Sequence, residues 1–560
     1  DGDDPDLPMW MVFSPSTNTN ANFLAVAGQT LSSIFIINGD LCIGFPSGNG
    51  WGIGRVNFVS DSQKWYWTSA TNYKQVKNTI AERNAQNGYV NSNSGISGLG
   101  NASITDLAMT VLPNAQIDSA TGLPIPMVAA TSLGGMSILK DDGTVIDASS
   151  AQGGNYNQAK AITITEENYL WWLGDYFNGS TYLRDSFALS LGTLPTSDFT
   201  WSNTNDNLST GTYYALTTAG EAGEIKIGAS NTWAWNKQER NALGGAVGFA
   251  IHKPNIGSES NSLIAAITSD YNTGWMHGDC QAAFLSDTDT TNKTNGQTDP
   301  DRSAENNTVT VIGTVTKSAV ATGADLVAYS GFTGSNYMYY NASDMAFGTS
   351  DFSVSVWCIP STDTTNEFIL ELDNASAGSN RFYLLTTATA TKKLYTPWNN
   401  NISGSELTPG EWNHVVVGRT SGVGYVYVNG NNISAGTVAW TTSLEGNGNG
   451  TISNYSGGIS NDYAWSGSLA LLRISGGTLT AEQIRKMYND EKDLFQENSK
   501  CTLYGSSNAV TALAYDEGTD QYHVGTSAGR SDFQGLRRIN NTTTAVTTAI
   551  SAHDEFIIEQ

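Results

Sequence analysis

One stretch constrains the fold more than any other. Gly410-Glu411-Trp412-Asn413-His414-Val415-Val416-Val417-Gly418-Arg419 runs through Ser421-Gly422-Val423-Gly424 into Tyr425-Val426-Tyr427-Val428-Asn429-Gly430. It reads as two strands around a glycine turn. In the second strand Val426 and Val428 share one face, while Tyr425, Tyr427 and Asn429 share the other. Asn429-Gly430 tolerates positive φ, so the chain is expected to reverse there. Upstream, Phe352, Val354, Val356 and Cys358 alternate with Ser353, Ser355 and Trp357, a period-two strand with one core face. Downstream, Thr480-Ala481-Glu482-Gln483 has capping-box form. Ile484, Met487 and Tyr488 follow it at helical spacing.

Strand, hairpin and helix in this order resemble the laminin-G-like (concanavalin-like) jelly roll. Asp351-Phe352-Ser353-Val354-Ser355-Val356-Trp357-Cys358 is similar to that family's strand before the central hairpin. Trp465 to Ile474 is similar to its closing strand, and the family commonly ends in a helix. The resemblance covers roughly residues 308–495 and implies a two-sheet sandwich. Jelly rolls of this type often hold calcium through Asp and Asn oxygens, so Ca2+ is a candidate cofactor. Asp373, Asn374 and Asp462 are its candidate ligands. No other cofactor is indicated.

The chain has 27 Lys plus Arg against 52 Asp plus Glu, a net charge of −25 over 560 residues. Such a surface repels nucleic acid and anionic membrane, so neither is expected as a partner. Only 14% of residues are charged; Gly, Asn, Ser and Thr fill the polar positions, which suits many short strands joined by tight turns. The 15 Trp, 24 Tyr and 18 Phe argue against disorder. No apolar run reaches membrane-spanning length, and no signal peptide is visible. The sequence opens on Asp1 rather than Met, so a removed or unrepresented upstream segment is expected. Cys42, Cys280, Cys358 and Cys501 lie far apart, which points to neither a zinc site nor a disulfide framework. Cys358 is expected as a free core thiol.

Three segments outside the jelly roll share a pattern. One has Ile104–Ala108 followed by Met127–Ser132. The second has Ala246–Ala250 followed by Leu263–Ser269. The third has Val510–Ala514 followed by Tyr522–Ser527. Each is a strand, a variable loop and a second strand of small residues. Units of four strands suggest a β-propeller, whose inner strands are crowded. Two stacked β-sandwiches are the alternative. The third segment follows the jelly roll, so the expected fold is all-β, a β-propeller-like body with an inserted jelly-roll sandwich. The expected divisions are an arm at 1–20, body at 21–290, linker at 291–307, jelly roll with helix at 308–495, and a return and last blade at 496–560. The terminal run Glu555–Glu559 is expected to close the ring beside Phe23–Ala27. A short helix is a candidate near Val76–Asn84.

Chemistry is sparse. There is no GxSxG, and His252, His277, His414, His523 and His553 are scattered. A glycosidase needs two carboxylates at a defined separation, which sequence cannot pair. The Ser-x-Asp-x-Gly-x-Thr-Trp repeat of sialidases is absent. Asp270 to Asp279 is the densest polar-aromatic cluster, either a binding loop or, more in keeping with Asn-Thr-Gly, a turn. No enzyme activity is therefore expected. Sugars stack on exposed aromatic rings, which makes Trp398, Trp440, Tyr455 and Tyr463, all in polar loops, the candidate ligand-binding set. For each of them a loop anchor is the alternative.

The stretch from Val510 through Arg530 resembles structural proteins of tailed phages, in which a laminin-G-like domain sits beside a β-rich body. That resemblance implies a virion tail or appendage protein, extracellular and homo-oligomeric. Its implied partners are other tail proteins and a host-surface glycan or protein receptor. A glycan-degrading (sialidase- or depolymerase-like) hydrolase and a bacterial surface adhesin are the alternatives.

Overall fold

The computed structural model describes the chain from residue 31 onward. Its gaps concentrate at 47–51, 67–97, 151–158, 202–247 and 254–260, some of which contain isolated strands, with short gaps that include 373–380, 399–401 and 434–437. The candidate strand Phe23–Ala27 lies outside the described residues. The described chain is all-β apart from one α-helix and short 3-10 turns. It divides into two compact units, residues 1–231 with 238–245, and residues 232–237 with 246–560.

The first unit consists of antiparallel meanders. Ser33–Ile37, Asp40–Gly44, Ile53–Asn57, Ser62–Tyr66, Lys74–Val76 and Tyr89–Asn91 form one sheet in chain order. Val76 ends a strand there, so the helix expected from that residue does not start at it. A second sheet contains Ile104–Thr110, Met127–Ser132, Gly135–Leu139 and Val145–Ser150, with Phe199–Trp201 added in parallel to the last. In the second unit Val510–Asp516, Gln521–Thr526, Gly529–Gln534 and Arg537–Asn541 make the same four-stranded meander, the sheet type of a propeller blade.

The two meanders repeat the same local contacts. A β-bulge interrupts the first strand pair after Ile104 in one and after Val510 in the other. Ser132 Oγ accepts from the Gly134 N–H at 3.2 Å and donates to the Gly135 carbonyl at 3.0 Å. Thr526 Oγ1 repeats both contacts, with the Ala528 N–H and the Gly529 carbonyl, at 3.1 and 3.2 Å. Gly135 has φ +128° and Gly529 φ +145°, and a Cβ on either would lie 2.1 Å from a facing carbonyl, of Ala148 or Thr542. Only glycine fits that approach. Ser137 Oγ accepts from the Gly100 N–H, and Ser531 Oγ from the Tyr504 N–H. Repetition at this level reflects one structural unit used twice.

The third segment, in Gly248–Lys253, Leu263–Ile267 and Met276–His277, is also an antiparallel run, but Trp233–Gln238 precedes it in the sheet and its first pair is regular. Thr268 Oγ1 accepts from the Asp270 N–H at 3.1 Å, as Thr526 does two residues on. Phe249 packs against Tyr522 and Phe533 with ring centroids 5.8 and 5.4 Å away, so this sheet and the last one share a core. The jelly roll lies between them in sequence.

Its two sheets face each other across the largest apolar core. The larger is centred on Phe352–Ile359, Asn413–Thr420, Val423–Val428 and Ser468–Gly476. The smaller runs Thr298–Pro300, Thr308–Ile312, Tyr337–Asn341, Asn449–Ile452, Glu367–Leu372, Phe382–Thr386, Lys392–Tyr395, Glu406–Leu407. The hairpin turns at Ser421 and Gly422, both at positive φ, and reverses again at Asn429 and Gly430, φ +50° and +77°. Phe352, Val354, Val356, Cys358, Val426 and Val428 point into the sandwich as their alternation requires. All four cysteines are free.

The outer face of the larger sheet is covered. Trp357, Val416, Tyr425 and Tyr427 pack with Ile484, Met487, Leu494 and Phe495, so the helix Ala481–Glu491 lies across this face. Its capping box is complete: Gln483 N–H reaches Thr480 Oγ1 at 3.2 Å, and Thr480 N–H reaches Gln483 Oε1 at 2.9 Å. At its last turn Glu491 is fully buried. Its carboxylate takes Arg473 Nη1 at 2.8 Å, Trp357 Nε1 at 2.6 Å and the Trp275 N–H at 2.8 Å. The polar cluster at 270–279 is therefore a structural joint. Asn272, fully buried, donates to the carbonyls of Cys501 and Leu536.

Candidate functional site

The structure separates the four aromatic residues singled out in the sequence into two pairs. Trp398 and Trp440 have ring centroids 5.0 Å apart; Tyr455 and Tyr463, 5.3 Å apart. The two pairs have different surroundings.

Trp440 is buried, 7% exposed, and Trp398 is half-buried beside it. Phe382 lies 5.9 Å from Trp398 and 6.3 Å from Trp440. The Arg419 guanidinium stands 4.9 Å from the Trp440 ring centre. It donates to the carbonyls of Gly348, Ser350 and Thr442 and is itself fully buried. Gly424 lies under Trp398 so closely that a Cβ would come within 2.4 Å of the indole. This pair plugs the sandwich core. The loop-anchor reading applies to Trp440, whose ring is committed to Arg419 and the core.

Tyr455 and Tyr463 lie on the outer face of the smaller sheet. One row of that face crosses four strands: Tyr339 opposite Thr451, Thr451 opposite Glu371, Glu371 opposite Tyr383. Phe368 joins them because of a β-bulge. Between Phe368 and Leu370 the register slips by one, so Ile369 and Leu370 both face the core. Phe368 and Glu371 then share the outer face, which regular alternation would forbid. Phe368 stacks on Tyr455 at 5.3 Å and meets Tyr463 edge-on at 5.8 Å. Tyr383 lies 6.1 Å from Phe368 and 5.8 Å from Tyr395. Burial first, then the neighbouring Tyr395, pushes the Tyr383 hydroxyl up to about 12, so it is a neutral donor across the physiological range.

The loop over this face is held by Asn454, fully buried. Its amide donates to the Thr333 and Ser460 carbonyls, and its oxygen accepts from the Tyr455 N–H at 2.9 Å. Thr451 Oγ1 donates to the Asn454 carbonyl at 2.6 Å. Ser456 N–H reaches Glu371 Oε2 at 2.7 Å, tying the loop to the sheet. Glu371 Oε1 accepts from Arg381 Nη1 at 2.7 Å; the carboxylate is 0% exposed and the arginine 22%. Burial raises the Glu371 pKa, opposed by these two donors. The Arg381 guanidinium lies 4.9 Å from the Tyr455 ring centre and 5.1 Å from that of Tyr383. The arrangement is a platform of aromatic rings with hydroxyls at its edge and one oriented cation. It can stack the C–H face of a sugar and hydrogen-bond its hydroxyls.

Residues 332–485 match the family of concanavalin A-like lectins and glucanases. The match falls on the sandwich that bears the platform. Among solved structures, domain 4 of an extracellular arabinanase from Geobacillus stearothermophilus, in complex with arabinotriose, is similar at 18% identity. It covers 37% of this chain and 99% of that one, with a TM-score of 0.27. The sialidase of Trypanosoma rangeli aligns at 8% identity over 83% of this chain and 94% of its own, TM-score 0.29. The ligand-binding domain of botulinum neurotoxin serotype D, in complex with N-acetylneuraminic acid, aligns at 15% identity over 46% of this chain and 61% of its own, TM-score 0.26. No curated protein matches.

Of the candidate calcium ligands, Asp373 and Asn374 lie outside the described residues. Asp462 is exposed in the 3-10 turn Asn461–Tyr463. Among the described residues no three His, Cys, Asp or Glu side chains converge as a metal site. Nor is any described helix long and apolar enough to cross a membrane. Phe368, Glu371, Arg381, Tyr383 and Tyr395 were not singled out in the sequence. The alternation in Arg381-Phe382-Tyr383-Leu384 carries a signal, since Tyr383 must point away from Phe382 and Leu384.

Proposed function

We propose that the jelly roll is a glycan-binding module, and that the ring platform of Phe368, Tyr383, Tyr455 and Tyr463 is where the sugar lies. One observation carries the reading. A sheet face in a concanavalin A-like sandwich presents clustered aromatic rings and a partly exposed arginine, while the opposite outer face is buried under a helix. The exposed Tyr463 ring, 36% accessible, is the stacking surface; Tyr455 and Phe368 support it.

The chain as a whole is, in this reading, a non-enzymatic structural protein of a phage tail or appendage. The blade-like body is its scaffold, and the jelly roll meets a host-surface glycan outside the cell. Three features support it: the resemblance around Val510–Arg530, the acidic, Asn- and Gly-rich composition, and the rigid seating of the jelly roll on the last blades through Glu491.

Binding of the full chain to host cells and to an array of host polysaccharides tests it. Tyr463→Ala should weaken binding about fivefold to tenfold, a stacking contact worth roughly 1–1.4 kcal/mol, at unchanged melting temperature. Full binding by a folded Tyr463→Ala, Tyr455→Ala double variant would remove this face from the site. Release of new reducing ends from the polysaccharide would overturn the non-enzymatic reading.

A further inference from the structure

Resting on the glycan-binding reading, we propose that the ligand is an acidic glycan and that Arg381 receives its carboxylate. The guanidinium is fixed on three sides. Tyr455 and Tyr383 flank it at 4.9 and 5.1 Å, and Glu371 holds Nη1 at 2.7 Å. Nε and Nη2 have no hydrogen-bond partner among the described residues. Those two nitrogens form the side of the fork that gives two parallel N–H bonds to one carboxylate.

Glu371 acts as a positioning residue. It is wholly buried, and its second oxygen is taken by the Ser456 N–H, so it aims Arg381 without competing for ligand. An arginine required only for stability would have this edge turned onto carbonyls. Arg419 is placed that way in the same sandwich, with Nε, Nη1 and Nη2 all donating to carbonyls. The contrast between the two arginines is what points to a missing acceptor at Arg381. The adjoining rings make the acceptor part of a sugar, since a pyranose can lie on Tyr463 and Tyr455 while its carboxylate reaches the fork.

The chain's overall charge of −25 opposes a polyanion at long range. A preference for acidic sugars must therefore come from the local fork, and it should survive added salt, which screens the long-range term. The probes are sialyllactose, a galacturonate trisaccharide and a hyaluronan tetrasaccharide, each beside its carboxyl-reduced counterpart, titrated by calorimetry into the full chain.

At least one acid should bind about tenfold or more tighter than its reduced partner, the range of a charge-assisted bidentate pair. Arg381→Gln should abolish that difference. Arg381→Lys, which keeps the charge without the fork, should retain only part of the preference, and it carries the test if the glutamine variant does not fold. Equal affinity for every acid and its reduced partner, or an acid preference that persists in Arg381→Gln, would overturn the inference alone. Binding of none of the six sugars would overturn the glycan reading and the inference with it.

Discussion

The second unit should lose stability in mild acid, and two buried histidines set most of the loss. His252 and His277 lie in Gly248–Lys253 and Met276–His277 and are 1% and 2% exposed. Burial depresses both, His252 to about 3 and His277 to about 4, the latter partly restored by Asp279. In the unfolded chain each titrates near about 6.5. The unfolded state therefore takes up protons first as pH falls, so the stability is intact above that value and is lost on the way down. By pH 5 each histidine has cost roughly 2 kcal/mol relative to pH 8, at ~1.4 kcal/mol per pH unit. His414, depressed by burial and then by Arg473, adds to the loss. Asp299 works the other way. Burial raises it to about 6 despite the Tyr329 hydroxyl that donates to it at 2.9 Å. Its protonation below that pH restores roughly 1 kcal/mol by pH 5. His252, His277 and Asp299 together give a loss of about 3 kcal/mol between pH 8 and 5, which His414 enlarges, a fall of several degrees in the melting transition. Tryptophan-fluorescence urea unfolding at pH 8, 6.5 and 5 reads it. A His252→Leu, His277→Leu double variant should flatten the profile, since surface carboxylates contribute equally to both proteins. Identical losses from pH 8 to pH 5 in the two proteins would refute the reasoning.

Glu491→Ala should be strongly destabilising. It leaves Arg473 buried without its carboxylate and strips Trp357 Nε1 and the Trp275 N–H of an acceptor. A loss of about 3–5 kcal/mol is expected, read by chemical denaturation. Trp440→Ala should lower the melting temperature by the equivalent of about 3–5 kcal/mol, since it opens a cavity against Phe352, Phe382 and Arg419. Any loss of binding in that variant should follow the unfolding curve. Gly135→Ala and Gly529→Ala should each be destabilising by more than about 1 kcal/mol, because the new methyl meets a carbonyl and the φ is unfavourable. A neutral result at either position would break the equivalence of the two meanders.

How much of this could be read from sequence depended on the range of the interaction involved. Strand alternation and the capping box are local, so Phe352–Cys358, the 413–428 hairpin and the Thr480 cap were legible. The repeat was legible as a pattern, but its proof lies in the Ser132 and Thr526 hydroxyls and in the glycines that follow them. Those contacts bridge adjacent strands at fixed offsets. The aromatic platform was only half legible. Tyr455 and Tyr463 could be named as loop aromatics, but Phe368 reaches them through a bulge, and a one-residue slip has no signature in composition. Trp398 and Trp440 looked the same in sequence as the tyrosines. What distinguishes them is the buried Arg419, which approaches from a strand distant in sequence.

The location of the platform follows from how the jelly roll is seated. A sandwich has two outer faces, and both would ordinarily meet water on one side of the core. Here the larger sheet carries Trp357, Tyr425 and Tyr427 outward, rings too apolar to remain exposed. The helix Ala481–Glu491 and the segment around Trp275 cover them, and Glu491 supplies the acceptor that the Trp275 N–H and the Trp357 indole need. A blade strand would normally take backbone groups such as the Trp275 N–H. After Thr268 the chain departs from the blade pattern, and Cys280–Phe284 leaves to pair with Ser468–Gly476 in the sandwich. The carboxylate thus satisfies a donor that the insertion would otherwise strand in the interior, where an unmet N–H costs about 1–3 kcal/mol. With one outer face consumed in this way, rings on the other have no covering helix among the described residues. Its Phe368, Tyr383, Tyr395, Tyr455 and Tyr463 are arranged against one another and around Arg381, the arrangement on which the proposed sugar site rests.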